Sequence, residues 1–91
     1  MTREQKRQAH AWVLYILECR DGTFYTGITN DMARRLHQHN AGSAARYTRG
    51  RGPVKLRYRE PCTGRSQAQV REAQIKRLAR DAKQRLINST E

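Results

Sequence analysis

Apolar and polar positions follow different rhythms along the chain. From Trp12 to Cys19 they hardly alternate: WVLYILEC is apolar and rich in strand formers, which predicts a strand. RDG at 20–22 is a hairpin signal, and TFYTGIT at 23–29 predicts the returning strand. VKLRYRE at 54–60 alternates strictly, with Val54, Leu56 and Tyr58 on one face and Lys55, Arg57 and Arg59 on the other. That predicts a half-buried strand with a cationic outer face. Met32, Leu36 and His39 stand at i, i+4 and i+7, one face of a helix over roughly 31–40. Asn30 or Asp31 caps its start and NAGS ends it. Ser66, with Gln69 three residues on, reads as the capping box of a second helix lined by Ala68, Ile75 and Ala79, with Leu78 adjacent. DAKQRLI allows a short third helix. The order β-β-α-β-α, with that possible extra C-terminal helix, predicts an α+β fold: a small three-stranded antiparallel sheet flanked by helices. The domain is expected to span 12–87, between a flexible basic arm at 1–11 and a short tail at 88–91.

The length of the first hairpin loop decides where Tyr15 and Tyr25 point. A two-residue Asp21-Gly22 turn pairs Tyr15 with Ile28 and sends the tyrosines to opposite faces. A three-residue loop, Arg20-Asp21-Gly22 with Gly22 left-handed, pairs Cys19 with Thr23 and Tyr15 with Gly27. Both tyrosines then share a face, because side chains alternate along a strand. Both loop lengths are common, and a joint role for the two phenols needs the second.

Composition narrows the partners. The 91 residues allow one domain, which buries roughly 60–65% of the surface exposed by the unfolded chain. Lys and Arg total 19 against 8 Asp and Glu, for a formal net charge of +11. A polyanion relieves the self-repulsion of such a chain, and nucleic acid is the first candidate. A membrane fits poorly: no run approaches the roughly 18 apolar residues of a spanning helix, and no signal peptide is visible. Cys19 and Cys62 are too few for a disulfide scaffold and read as reduced thiols in a cytoplasmic protein.

Among the acidic residues, Glu72 stands out. It lies at the edge of the buried face of the second predicted helix, where a desolvated carboxylate needs a partner. A divalent cation such as Mg²⁺ or Mn²⁺ is one partner, and a salt bridge to Lys76 at i+4 is the plain alternative. His37 and His39 point in nearly opposite directions on a helix and lack a Cys-x-x-Cys companion, which argues against zinc. A hydrogen-bonded core histidine is the ordinary reading of His39, and a solvated helix charge that of Arg35.

These residues resemble the GIY-YIG nuclease domain. Val13-Leu14-Tyr15 stands where the family has Gly-Ile-Tyr, and Tyr25-Thr26-Gly27 where it has Tyr-Ile-Gly. Arg35 and His39 follow at the family's spacing, and Glu72 matches the glutamate of its metal-binding helix. YTGITND, ARYTRGRGP and REAQIKRL are similar to the short, stand-alone bacterial members. The resemblance implies metal-dependent phosphodiester hydrolysis of nucleic acid, DNA before RNA, with no small-molecule cofactor. Glu72 would hold one Mg²⁺ or Mn²⁺ ion, Arg35 would bind the scissile phosphate, and Tyr15 and Tyr25 would flank the attacking water, either one as general base and the other as orienter. A nearby cation, the metal or His39, would help the base lose its proton. Val13 replaces the family's first glycine, and Ile28 stands where many members carry lysine. The alternative is a nucleic-acid binding module with lost or weak catalysis. In either case Arg46, Tyr47, Arg49, Arg51, Lys55, Arg57 and Arg59 would contact the nucleic acid.

Overall fold

The computed structural model describes residues 11–89. Apart from Ala11, the basic arm expected at 1–11 lies outside the described residues. The elements are β1 (Val13–Glu18), β2 (Phe24–Thr29), α1 (Met32–Ala41), β3 (Lys55–Pro61), α2 (Arg65–Lys76) and α3 (Arg80–Asn88). The strands form one antiparallel sheet in the order β2-β1-β3, so the fold is α+β with helices flanking the sheet.

β1 is the central strand, and Val13–Leu17 are buried without a break. Both faces of the strand are covered, which is why its apolar run lacks alternation. Leu14 and Ile16 pack with Ile75 of α2 and Ile87 of α3, against Phe24, Ile28, Tyr58, Cys62 and Leu86. Tyr15, Leu17 and Cys19 face the other way, with Val54, Tyr25, Met32, Leu36 and Leu56. Two thin cores thus lie on either side of one strand. Cys19 and Cys62 are free thiols.

The hairpin adopts the three-residue loop. Cys19 N donates to Thr23 O at 2.8 Å, Gly22 N donates to Cys19 O at 2.9 Å, and Gly22 has φ 84°. A left-handed residue is what such a loop requires, and glycine supplies it without a Cβ clash. Tyr15 therefore pairs with Gly27, and Leu17 with Tyr25. Both phenols fall on the α1 face.

Three expectations about local structure are corrected. Val54, Leu56 and Tyr58 do not share a face. A register shift opposite Ile16/Leu17 puts Leu56 across from Leu17 and Tyr58 across from Ile16. The extra residue turns the strand, so Leu56 enters one core and Tyr58 the other. Ser66 is not a cap. The helix begins at Arg65 after an extended Gly64, which has no capping side chain, and Thr63 N instead donates to Gln67 Oε1 at 3.1 Å. Ala79 and Leu78 do not extend the buried face of α2. That helix ends at Lys76, Ala79 becomes the residue preceding α3, and both side chains are exposed.

Helix α1 is bounded as its sequence predicts. Asp31 Oδ1 accepts from Arg34 N at 3.2 Å, and Gly42 closes the helix at φ 79°. Two clamps then join distant segments. Asn40 at the end of α1 accepts from Val54 N at 2.7 Å and donates to Val54 O at 3.4 Å. Arg71 of α2 donates to both carboxylate oxygens of Glu60 at 2.8 and 3.2 Å, and Tyr58 donates to Glu60 at 2.5 Å. Burial works to raise the Glu60 carboxyl, but the Arg71 and Tyr58 hydrogen bonds prevail and lower it.

Gly27 is required by contact, not by backbone angle. A Cβ built there would lie 2.5 Å from Tyr15 Oη and 2.6 Å from its Cζ. Gly27→Ala is expected to destabilise the fold by about 1–3 kcal/mol through this overpacking. Urea denaturation should show the loss, and a Tyr15→Leu background should relieve most of it, which a double-mutant cycle would read. Glu60→Ala is expected to cost about 1–3 kcal/mol, since it strands the half-buried Arg71 guanidinium.

Candidate active site

Tyr15 is buried on both sides by its strand neighbours, so its hydroxyl has one way out, across the sheet over Gly27. There it meets α1. Tyr15 Oη lies 2.9 Å from His39 Nε2, and the other ring nitrogen, Nδ1, lies 2.8 Å from Thr48 Oγ1. Tyr15, His39 and Thr48 are each only 1% exposed. The rings of Tyr15 and His39 meet edge to face at 5.8 Å between centroids. Tyr25, half-buried, tilts against the same imidazole at 5.1 Å.

Arg35 borders this group from α1. Its Nη1 donates to Gln38 Oε1 at 3.3 Å, while its buried Nε has no hydrogen-bond partner among the described residues. Burial raises the pKa of Tyr15; Arg35 opposes that by contact and charge, and Tyr25 and Glu72 add to the rise. The carboxylate of α2 and the guanidinium of α1 therefore both act on one phenol. His39 is lowered to about 4, first by burial and then by the charge of Arg35. A neutral imidazole at neutral pH follows.

Glu72 forms the salt bridge that its sequence spacing allowed. Its Oε2 lies 3.6 Å from Lys76 Nζ, but the lysine side chain is 52% exposed and that of Glu72 only 25%. An exposed i, i+4 pair of this kind is weak and leaves the carboxylate available. Among the described residues no cluster of three or more His, Cys, Asp or Glu could hold a metal. Any ion here would rest on the one carboxylate, with water and phosphate oxygens completing its shell. That suits Mg²⁺ or Mn²⁺, which bind oxygen and keep several waters, and not zinc. His37 is exposed and does not join the group.

The basic residues divide. Tyr47 stacks on Tyr25 at 5.8 Å between centroids, and the Arg51 guanidinium sits 4.4 Å over the Tyr47 ring. Asp21 in the hairpin loop holds Arg51 at 2.6 Å. These residues join the site. Arg46 and Arg49 are exposed on the same loop, with Arg49 Nε donating to Gly42 O at 3.3 Å. Lys55, Arg57 and Arg59 run along β3, on the far side of β1 from β2, and Arg57 Nε pairs with Glu18 at 3.3 Å. Arg59 stands directly across from Tyr15 in the sheet register, whereas Lys55 lies opposite Glu18 at the other end of the strand.

Thr48, Gln38, Asn40 and Asp21 escaped the sequence reading. Thr48 had a signal: in AARYTRGRGP it is a β-branched, uncharged residue among arginines and glycines. Such a residue has less reason to face water than its neighbours. The polar partners of the other three lie too far along the chain, or are too ordinary, to be read locally.

Comparison with known proteins agrees with this arrangement. The model of the GIY-YIG catalytic domain matches residues 11–86. A UPF0213 protein of Desulfotalea psychrophila is 51% identical over 82 residues, covering 89% of this chain and 74% of that protein. A UPF0213 protein of Halobacterium salinarum is 52% identical over 74 residues, covering 81% and 96%. The solution NMR structure of a UPF0213 protein from Bacillus halodurans superposes with a TM-score of 0.55 at 42% identity, over 85% of this chain and 82% of that one. With its paired tyrosines on one sheet face and its match along nearly the whole described chain, this protein belongs to the GIY-YIG family, among the small UPF0213 proteins.

Proposed function

We propose that the protein is a divalent-metal-dependent endonuclease that hydrolyses phosphodiester bonds of nucleic acid, DNA before RNA. The observation that carries this reading is the buried hydrogen bond between Tyr15 and a neutral His39, beside an Arg35 whose Nε has no partner among the described residues. A phenol normally keeps its proton near neutrality, with a pKa near 10. It becomes a usable base when a neighbouring group takes that proton.

In this reading Arg35 binds the scissile phosphate through its planar, permanently charged fork. Moving onto the phosphate takes its guanidinium off Tyr15, which the substrate and its water can then approach. Tyr15 passes its proton to His39 Nε2 as it takes one from the attacking water. The move of Arg35 onto the phosphate removes one of the two causes that disfavour the imidazolium. That imidazolium forms only transiently and gives the proton up to solvent as the leaving oxygen is protonated. The hydroxide forms a new bond to phosphorus, the bond to the leaving oxygen breaks, and solvent protonates that oxygen. Arg35 stabilises charge on the phosphate throughout. Tyr25, half-exposed and stacked between His39 and Tyr47, orients the water. A divalent ion held at Glu72, when bound, would supply further neutralisation of charge on the phosphate. Tyr47, with Arg46, Arg49 and Arg51, lines the approach as a stacking and phosphate-binding rim.

The discriminating experiment incubates the protein with supercoiled plasmid, branched DNA and RNA in Mg²⁺ or Mn²⁺. Glu72→Ala is expected to lower cleavage by about 10³-fold, the equivalent of several kcal/mol of lost charge stabilisation, while binding persists. A parent chain that binds DNA without cutting it would favour the binding-module reading, and a Glu72→Ala chain that cuts normally would remove the metal assignment.

A pH dependence follows from His39. Its folded value, about 4, lies below its ordinary 6.5, so its stabilising contribution is complete above 6.5 and is lost as pH falls through 4. The melting temperature should drop across that interval, and by less in His39→Gln. Cleavage per folded molecule should not decline near pH 6.5, where an ordinary histidine would gain its proton.

A further inference from the structure

His39 can accept the Tyr15 proton only through an unprotonated Nε2, and a neutral imidazole offers that nitrogen in one of its two tautomers. The hydrogen bonds around Thr48 select which. Thr48 Oγ1 lies 3.1 Å from Ala45 O. A carbonyl oxygen only accepts, and both Thr48 contacts are hydrogen bonds only when its single hydroxyl proton points at Ala45. Towards His39 Nδ1, 2.8 Å away, Thr48 then presents a lone pair. Nδ1 must carry the ring proton, Nε2 is left bare, and Tyr15 is the donor across the 2.9 Å contact. Every link runs in one direction: Tyr15 O–H to His39, His39 N–H to Thr48, Thr48 O–H to the Ala45 carbonyl.

We infer that Thr48 is a positioning residue, which holds His39 in the Nδ1–H tautomer and so keeps Nε2 open to the proton of Tyr15. The inference rests on the nuclease reading for its catalytic meaning, but not for its chemistry. The local backbone makes the device rigid. Arg49 N donates to Ala45 O and to Arg46 O, each at 3.2 Å, and Arg51 N donates to Thr48 O at 3.0 Å. A threonine in such a turn reaches the carbonyl three residues back through its own hydroxyl. Thr48 is 1% exposed, so water does not compete for either bond. The arrangement repeats the logic by which an orienting group fixes a catalytic histidine, with a backbone-anchored hydroxyl in the place of a carboxylate. Because that hydroxyl is uncharged, it steers the ring without stabilising imidazolium, in keeping with a histidine that stays neutral at pH 7.

Two measurements test this. Long-range proton–nitrogen NMR on uniformly ¹⁵N-labelled protein reads the tautomer of His39 directly and needs no variant. Nδ1–H is expected at pH 7, and an Nε2–H ring would overturn the inference. Thr48→Val keeps the shape of the side chain and removes its hydroxyl. It is expected to shift the ring towards Nε2–H and to lower kcat by about 10²-fold with KM little changed, as loss of a proton acceptor does. Thr48→Ser should restore both the tautomer and the rate. A Thr48→Val chain that keeps Nδ1–H and full kcat would overturn the assignment. A chain whose tautomer answers to Thr48 but which cuts no substrate would support the tautomer lock and overturn the nuclease reading instead.

Discussion

The ring of Tyr15 lying across Gly27 is the constraint on which the site depends. β1 is covered on both faces, so a tyrosine in its middle cannot turn to water. Its hydroxyl travels along the sheet over β2 and arrives where α1 presents His39. A buried phenolic hydroxyl needs a hydrogen-bond partner, and His39 is the one it finds. Only a residue without a side chain leaves room beneath the ring. The hairpin loop matters for the same reason: one residue fewer would bring Ile28 opposite Tyr15 and turn Tyr25 away.

Around this neutral centre the chain places its charges with care. Burial and the nearby Arg35 both disfavour imidazolium, so the interior of the site holds no formal charge while its border holds a guanidinium. Three of the eight acidic residues serve as anchors for arginine. Asp21 holds Arg51 over Tyr47, Glu18 holds Arg57, and Glu60 holds Arg71 between β3 and α2. The last anchor has a reach beyond its own ion pair, because Arg71 is the chain neighbour of Glu72 and fixes the turn of helix that carries it. Arg46 and Arg49 on the loop and Lys55 and Arg59 on β3 are among the many cations that give the protein its excess of positive charge. A basic rim around a neutral, hydrogen-bonded pocket fits a polyanion whose backbone is gripped outside and acted on within.

Much of the fold could be read residue by residue. The unbroken apolar run of β1 marks a central strand, Asp31 and Gly42 bound α1, and Gly22 makes the hairpin. Tyr15, Tyr25, Arg35, His39 and Glu72, the residues proposed for the site, were singled out as a set by the family likeness alone. What failed to show were features without a local signature. The register shift in β3 hides behind perfect alternation, because exposure still alternates along the strand while the two apolar residues enter different cores. Ser66 looks like a cap, yet the extended residue that precedes the helix is Gly64, two positions earlier. Ala79 keeps the periodicity of α2 after α2 has ended.

Local chemistry along the chain, its periodicities, caps, turn residues and charge, was enough to determine the order of elements and an antiparallel sheet flanked by helices. Tertiary structure alone decided the choice between two common hairpin loops, the neutrality of His39 and the contact of His39 with Thr48. The reason is one of distance and solvent. Tyr15 and His39 are 24 positions apart and His39 and Thr48 nine, and their bonds carry weight because packing has excluded water from all three.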